Sequence, residues 1–399
     1  MGYTKRAFDK RYIKFRKGFK KPFNNTALLL PIGFTNDDYV NLFKELYLYL
    51  WEEIEREYSY WSKKNSKLLE LKKPSRYNFP KPENFVIYNS YNLLKRIRKE
   101  HSEGKTIDKV KREELITKLK TNNKSKIAKR RDKEASQLKY VQELEPEHFQ
   151  QLVNQFFNTS NLNNEAINLK FSILRELSKY KSPKTVEFFQ KVNAVEKNIS
   201  LRRFAFQTLQ NQNEKVILRR NPKGKKKQMV YSKHSIVENP QAVLNDIYEK
   251  NKVEDVKEYD IFLCHSSVNE DEIINLYKLL NKNGLHVYVD WVCDQYALKR
   301  EFLDNSTVDV IVERIKKSKS LLYINSLDSL NSSWVNWEIG LAHAYNKKIC
   351  IYNLSNTPIS YPILIYPEVM FSNGNYYIMD KSENSVKLYD WLKDDKNGQ

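Results

Sequence analysis

An indole and a carboxylate four residues apart, Trp334 and Glu338, fall on one face of any helix that holds them. An indole there would exclude water from the carboxylate and strengthen its field. Elsewhere the residue types that usually carry chemistry are thinly spread. Cys264, Cys293 and Cys350 stand far apart with no Cys-x-x-Cys, which points to a reducing compartment and excludes a disulfide framework and a zinc site. The six histidines are scattered, and there is no Gly-rich phosphate loop and no His-Glu-x-x-His. No metal is therefore expected.

Charge is the other feature that could act. The 399 residues carry a net charge of +20. Residues 251–399 hold 16 basic and 21 acidic side chains, whereas the first 250 hold 53 and 28. Opposite signs imply two jobs and a boundary near 235–257. The basic half is densest at Lys95-Arg96-Ile97-Arg98-Lys99, at Lys109 to Arg112 and at Lys129-Arg130-Arg131. A further cluster, Arg219, Arg220, Lys225, Lys226 and Lys227, surrounds a Pro-Lys-Gly between two apolar triplets and reads as a hairpin tip. Clustered cations can neutralise phosphates and release counterions, so nucleic acid is one partner that fits. An acidic protein face or plain solubility are the alternatives.

The elements around these residues differ between the halves. In the basic half, Tyr39, Leu42, Phe43, Leu46, Tyr47, Leu50, Trp51 and Ile54 recur at helical spacing, so one long helix is expected over 36–64, capped at Asn36 or Asp37. Lys73-Pro74 and Phe79-Pro80-Lys81-Pro82 mark a linker, with a helix expected over 88–99. Residues 167–177 resemble 199–209 at an offset of 32, with Pro183 opening a helix between them, a period similar to HEAT-like arrays. The aromatics Phe188, Phe189 and Phe204 read as core. In the acidic half, short apolar runs at 259–265, 285–290, 321–324 and 348–352 alternate with helical stripes at 273–280, 308–316 and 334–345. That order implies a parallel sheet covered by helices, with sites at the carboxyl ends of its strands. The most apolar stretch elsewhere, 26–34, is short and broken by Pro31, so the chain is expected to be soluble and cytoplasmic, with no membrane span.

Four segments of the acidic half together resemble the Toll/interleukin-1 receptor (TIR) domain family. They are Tyr259-Asp260-Ile261-Phe262-Leu263-Cys264-His265-Ser266, Gly284-Leu285-His286-Val287-Tyr288-Val289-Asp290-Trp291, Ser318 to Ser326, and Ser332-Ser333-Trp334-Val335-Asn336-Trp337-Glu338-Ile339-Gly340. The match covers about residues 257–371 and looks most like bacterial TIR proteins of anti-phage defence. Charge, periodicity and the internal repeat divide the rest into a basic helical region over 1–140 and a HEAT-like helical region with a basic hairpin over 141–240, and the resemblance implies a flavodoxin-like TIR domain over 257–399, a multidomain chain.

It also implies chemistry. Many TIR domains cleave NAD+ at the nicotinamide–ribose bond, with a catalytic glutamate whose place here is Glu338. Nicotinamide leaves as a neutral group, so the barrier lies in positive charge developing on the ribose, which a nearby carboxylate can stabilise. NAD+ is then a consumed substrate and no cofactor is expected. His265, Ser266 and Ser267 follow the first strand, where the family's nucleotide pocket opens; His265 reads either as a contact to nicotinamide or phosphate or as a cap of the next helix. Asp290, Trp291 and Trp334 are further expected substrate contacts. Residues 290–300 occupy the place of the family's BB loop, where Arg300 could meet a diphosphate or simply face solvent. The glycine and proline of a receptor-type BB loop are absent, which argues against adaptor signalling. The expected function is an NAD+ hydrolase of anti-phage defence, activated by self-association once the basic half captures nucleic acid or a protein partner. A cyclase making a cyclic ADP-ribose-type messenger, and a non-enzymatic assembly scaffold, are the rival readings.

Overall fold

A computed structural model describes residues 3–161, 163–218, 240–248, 253–266, 270–294, 305–354, 357–359, 363–379 and 385–394. The chain forms two compact units, Met1–Ser136 and Gln137–Gln399.

The first unit is helical: α1 (Tyr3–Lys17), α2 (Lys20–Leu28), α3 (Asn36–Leu46), α4 (Leu48–Glu70), α5 (Pro82–Ser102) and α6 (Lys109–Leu138), the last two residues of which lie beyond its boundary. The single helix expected over 36–64 is broken at Tyr47, whose backbone leaves the helical region (φ −129, ψ 47). The break lets the Tyr47 hydroxyl accept from Asn25 Nδ2 at 3.1 Å, and α6 repairs what it exposes: Asn123 Nδ2 donates to the stranded Leu46 carbonyl at 2.8 Å. Thr35, not Asn36 or Asp37, caps α3, in a capping box with Asp38. α5 starts six residues earlier than expected, because Pro82 suits a first helical position. Interlocking rings of Phe19, Phe23, Phe43 and Phe85 fill the interior, with the half-buried Phe15 against Phe19.

The second unit has a helical part and a sheet. Its helices α7 (Phe149–Asn158), α8 (Asn164–Ser178), α9 (Pro183–Val195) and α10 (Ile199–Asn211) enclose one apolar core that includes Phe188 and Phe189. α8 and α10 are the two copies of the internal repeat, and Ser182 caps α9 ahead of Pro183. Then come α11 (Pro240–Tyr248), β1 (Tyr259–Cys264), α12 (Glu270–Lys282), β2 (Val287–Tyr288), α13 (Asp290–Cys293), α14 (Asn305–Lys316), β3 (Ser318–Asn325), α15 (Leu327–Leu330), α16 (Ser333–Ala344), β4 (Lys348–Asn353), β5 (Glu368–Ser372), β6 (Asn375–Met379), β7 (Ser385–Lys387) and α17 (Leu388–Lys393). The sheet order is β2-β1-β3-β4-β5-β6-β7, parallel through β5 and antiparallel beyond. This is a helical N-terminal half followed by a flavodoxin-like α/β domain. Every residue of β1 is buried, as a strand covered on both faces requires. Gly284, at φ +80, closes α12 by letting the Leu285 amide reach the Leu280 carbonyl. Among the described residues no helix is long and apolar enough to cross a membrane.

Within this unit, charge joins the helices to the sheet. Glu176 at the end of α8 meets Lys257 at 3.0 Å and Lys179 at 3.2 Å. Lys257 also binds Glu254, which holds Arg314 of α14 at 2.7 Å, and Arg314 closes on Asp294 at 2.9 Å. Three carboxylates thus balance three cations. All but the part-exposed Lys179 are buried. Burial alone would raise the pKa of Glu254, but Arg314 and Lys257 more than reverse it and hold the value at about 2. Removing one partner leaves a buried charge unanswered. Arg314→Met should therefore cost about 3–5 kcal/mol, read as a lowered urea midpoint; an unchanged midpoint would show that the network is dispensable.

Candidate active site

The sheet order reverses between β1 and β3, and it is at such a switch point, outside the carboxyl ends of the strands, that open α/β sheets place their ligand crevice. Three elements bring side chains to it. β1 ends at Cys264 and hands on to His265 and Ser266. β2 runs into α13, which starts with Asp290 and Trp291. α16, beyond β3, carries Glu338. Ser332 caps α16 by accepting from the Val335 amide, which fixes the helix start and so the height of Glu338.

Glu338 is only 9% exposed. Six other acidic residues among those described are equally buried, and each has a cation: Glu57 with Arg11, Glu176 with Lys257, Glu196 with Lys170, Glu254 and Asp294 with Arg314, and Asp260 with Lys319. Among the described residues Glu338 has none. Burial pushes its pKa up to about 8, the nearby Asp290 carboxylate adds to the rise, and a hydrogen bond with the Cys264 thiol opposes it. The carboxyl is therefore mostly protonated at neutral pH. Burial and Glu338 together raise Cys264 well above its ordinary value, so its sulfur stays a thiol and is a poor nucleophile. A buried carboxyl with no cation beside it and a raised pKa makes Glu338 a candidate functional group.

Beside it lies a second cluster. His265 Nδ1 is 2.9 Å from the Leu263 carbonyl, and its Nε2 is 2.7 Å from the Trp291 indole nitrogen. A carbonyl can only accept and an indole N–H can only donate, so the imidazole carries its proton on Nδ1 and both ring nitrogens are engaged. The Asp290 carboxylate accepts from the Trp291 amide at 2.8 Å and stands 3.9 Å from His265 Nε2. Trp291 in turn meets the Tyr140 ring edge-on at 6.1 Å.

The structure thus brings Glu338, His265, Asp290 and Trp291 together at the crevice, with Ser266 next to His265. Trp334 shares the helix of Glu338 but is exposed, packed edge-on against Trp337 at 5.6 Å. Ser267 and Arg300 lie outside the described residues. Cys264, absent from the sequence-based set, is the polar neighbour of Glu338; its place at the carboxyl end of a buried strand is the signal that could have found it. Among the described residues no group of three or more His, Cys, Asp or Glu is arranged to hold a metal ion.

The basic set behaves unevenly. Lys95, Arg96, Arg98 and Lys99 line the exposed side of α5, with Arg96 and Lys99 loosely paired to Glu100 and Glu103 and Arg98 bonded to Asn36 at 2.7 Å. Lys129 and Arg131 are exposed on α6. Arg130 between them turns inward to Glu134, Glu53 and the Tyr49 carbonyl, a packing role within the first unit. Arg219, Arg220, Lys225, Lys226 and Lys227, with the expected hairpin, lie outside the described residues.

No family profile matches the chain. It is 30% identical to the putative cyclic ADP-D-ribose synthase TIR2 of Cytobacillus dafuensis over 359 residues, 89% of this chain and 93% of that protein. An alignment of that length spans the helices as well as the sheet. It is also 36% identical to the probable 3′ cyclic ADP-D-ribose synthase ThsB′ of Bacillus cereus (strain MSX-D12) over 104 residues, 26% of this chain and 51% of that protein.

The raised pKa of Glu338 has a consequence for stability. A carboxyl whose folded value lies above its usual 4.5 binds its proton more tightly when folded, so folding weakens as pH climbs from there to about 8, and the penalty is complete above that. Glu338→Gln removes the penalty. Its unfolding free energy from urea titration should match wild type at about pH 4 and exceed it above about pH 8, by on the order of a few kcal/mol. A gap that does not grow with pH would place the carboxyl in water.

Proposed function

The chain belongs to the bacterial TIR-domain family, and on that footing we propose that it cleaves the nicotinamide–ribose bond of NAD+ and closes the remaining ADP-ribose into a cyclic product. The observation that carries this reading is Glu338, among the described residues the one buried carboxyl that has no cation. Its natural partner is a positive charge that arrives with substrate. NAD+ brings one on the nicotinamide ring, and as the glycosidic bond lengthens that charge passes to the ribose carbon. A cation at the mouth of the site lowers the pKa of Glu338, so the carboxylate forms where it is needed and stabilises the developing oxocarbenium centre. The Cys264 thiol steadies the anion with a hydrogen bond. Trp291, held by His265, and the neighbouring Asp290 frame the ribose side.

Nicotinamide departs with the bonding electrons of the broken bond and becomes neutral. The ribose carbon is then captured by a nucleophile of the same ADP-ribose, which closes the ring, or by water, which gives free ADP-ribose. The names of both relatives favour closure. The same reading puts the protein in anti-phage defence, active as an assembly of its TIR domains. The exposed cations Lys95, Arg96, Lys99, Lys129 and Arg131 are assigned to capture of a nucleic acid that triggers assembly.

Incubating the full chain with NAD+, with and without DNA or RNA, tests these assignments. Nicotinamide release should fall about 100-fold or more in Glu338→Ala. A product one water lighter than ADP-ribose marks cyclisation, and ADP-ribose itself marks hydrolysis. Because the ionised form of Glu338 is required, kcat/KM should rise with pH and level off above about 8. Release that persists in Glu338→Ala contradicts the mechanism, and indifference to nucleic acid removes the assigned trigger.

A further inference from the structure

α13 has a single turn and carries two of the four clustered residues. A helix that short has no stability of its own. Its backbone bonds are few: the Val292 and Cys293 amides to the Val289 carbonyl, and the Asp294 amide to the Asp290 carbonyl. Its position must come from what grips it from outside.

Two of those grips come from the helical side of the same unit. Lys179, just past the end of α8, donates to the Cys293 carbonyl at 2.7 Å, which satisfies an acceptor at the C-terminal end of the turn. At the other end the Tyr140 ring abuts Trp291, whose indole N–H is committed to His265. The next residue along, Asp294, is clamped by Arg314 and by the Tyr288 hydroxyl at 3.0 Å. Lys179 also belongs to the balanced set of six charges through Glu176. A shift of α8 would therefore strain the Glu176–Lys257 pair and pull on α13 together.

We propose that Lys179 is a positioning residue for NAD+ cleavage: it fixes α13, and through α13 the placement of Asp290 and Trp291 beside Glu338, so that the packing of α7–α10 sets the competence of the site. This rests on the NAD+ reading above. It deepens that reading by naming the contact through which the helices of the second unit govern the chemistry. The Lys179 ammonium reaches only backbone of α13, so its effect is on geometry and not on the reacting atoms.

The experiment uses the full chain as wild type, Lys179→Met and Lys179→Arg. Met keeps the apolar stem and loses the donor and the charge. Amide hydrogen exchange should accelerate about tenfold or more at Val292, Cys293 and Asp294 in Lys179→Met, while amides of β1 and β3 keep their wild-type rates. Nicotinamide release should fall at least about tenfold in kcat/KM. Its pH midpoint should move below about 8 as the Asp290 carboxylate drifts from Glu338. Lys179→Arg, which can still donate to the Cys293 carbonyl, should recover most of both. Unchanged exchange at 292–294, or an unchanged pH midpoint with a uniform loss of stability, overturns the proposal. Should β1 and β3 also loosen, Tyr140→Ala, which leaves all six charges in place, gives the deciding measurement: local loosening of α13 supports the role of the helical side and none overturns it. Should wild type release no nicotinamide, the NAD+ reading falls by itself, and the exchange result still decides whether Lys179 holds α13.

Discussion

A charge taken out of water must meet its opposite or give up its charge. That constraint organises the second unit. Glu176, Lys179, Glu254, Lys257, Asp294 and Arg314 meet it by pairing, and in doing so they bind α8, the segment before β1, α13 and α14 into one electrostatically neutral joint. Glu338 meets it the other way. With a thiol as its hydrogen-bonding partner and a carboxylate nearby, it keeps its proton. The same physical rule yields a set of paired charges at one place and a neutral carboxyl at another.

The two solutions depend on each other. A neutral buried carboxyl is a standing liability, since at alkaline pH its ionised form weakens the fold, and only a well-tied surround can carry it. The ties are where the geometry is most sensitive. Ser332 sets the start of α16, the His265 ring is locked between Leu263 and Trp291, and α13 is pinned at its C-terminal end by Lys179 and beyond it by Arg314. Under the proposed cleavage of NAD+, preorganisation of this kind would leave little to rearrange as positive charge develops on the ribose.

Much of this is legible in the residues. Buried parallel strands are short apolar runs, so β1 to β4 can be read directly, and Asn283-Gly284 announces the end of α12. The alternation of strand and helix ends at Tyr352, and a reading built on alternation ends with it. Yet the Asn373-Gly374 turn between Val369-Met370-Phe371 and Tyr376-Tyr377-Ile378 is a hairpin signal in its own right, with both turn residues at positive φ. The break at Tyr47 leaves no mark, because apolar spacing runs straight through it. The position of Glu338 follows from its motif, but the source of its burial does not, since the four-residue spacing points to shielding by Trp334, which the fold leaves exposed. Contacts between distant residues are the least legible of all. Lys179 and Cys293 lie 114 positions apart, and nothing local in either stretch names the other.

The state of one carboxyl group decides the account most directly. The carbon-13 resonance of the Glu338 carboxyl can be followed against pH in the free protein and with an uncleavable carbocyclic NAD+ analogue bound. With Glu338 buried and facing no cation, the midpoint should lie near 8 in the free protein and fall clearly once the cationic ring is in place. A midpoint at the usual 4.5, indifferent to the nucleotide, would mean that Glu338 is an ordinary solvated side chain and that the crevice does not serve NAD+.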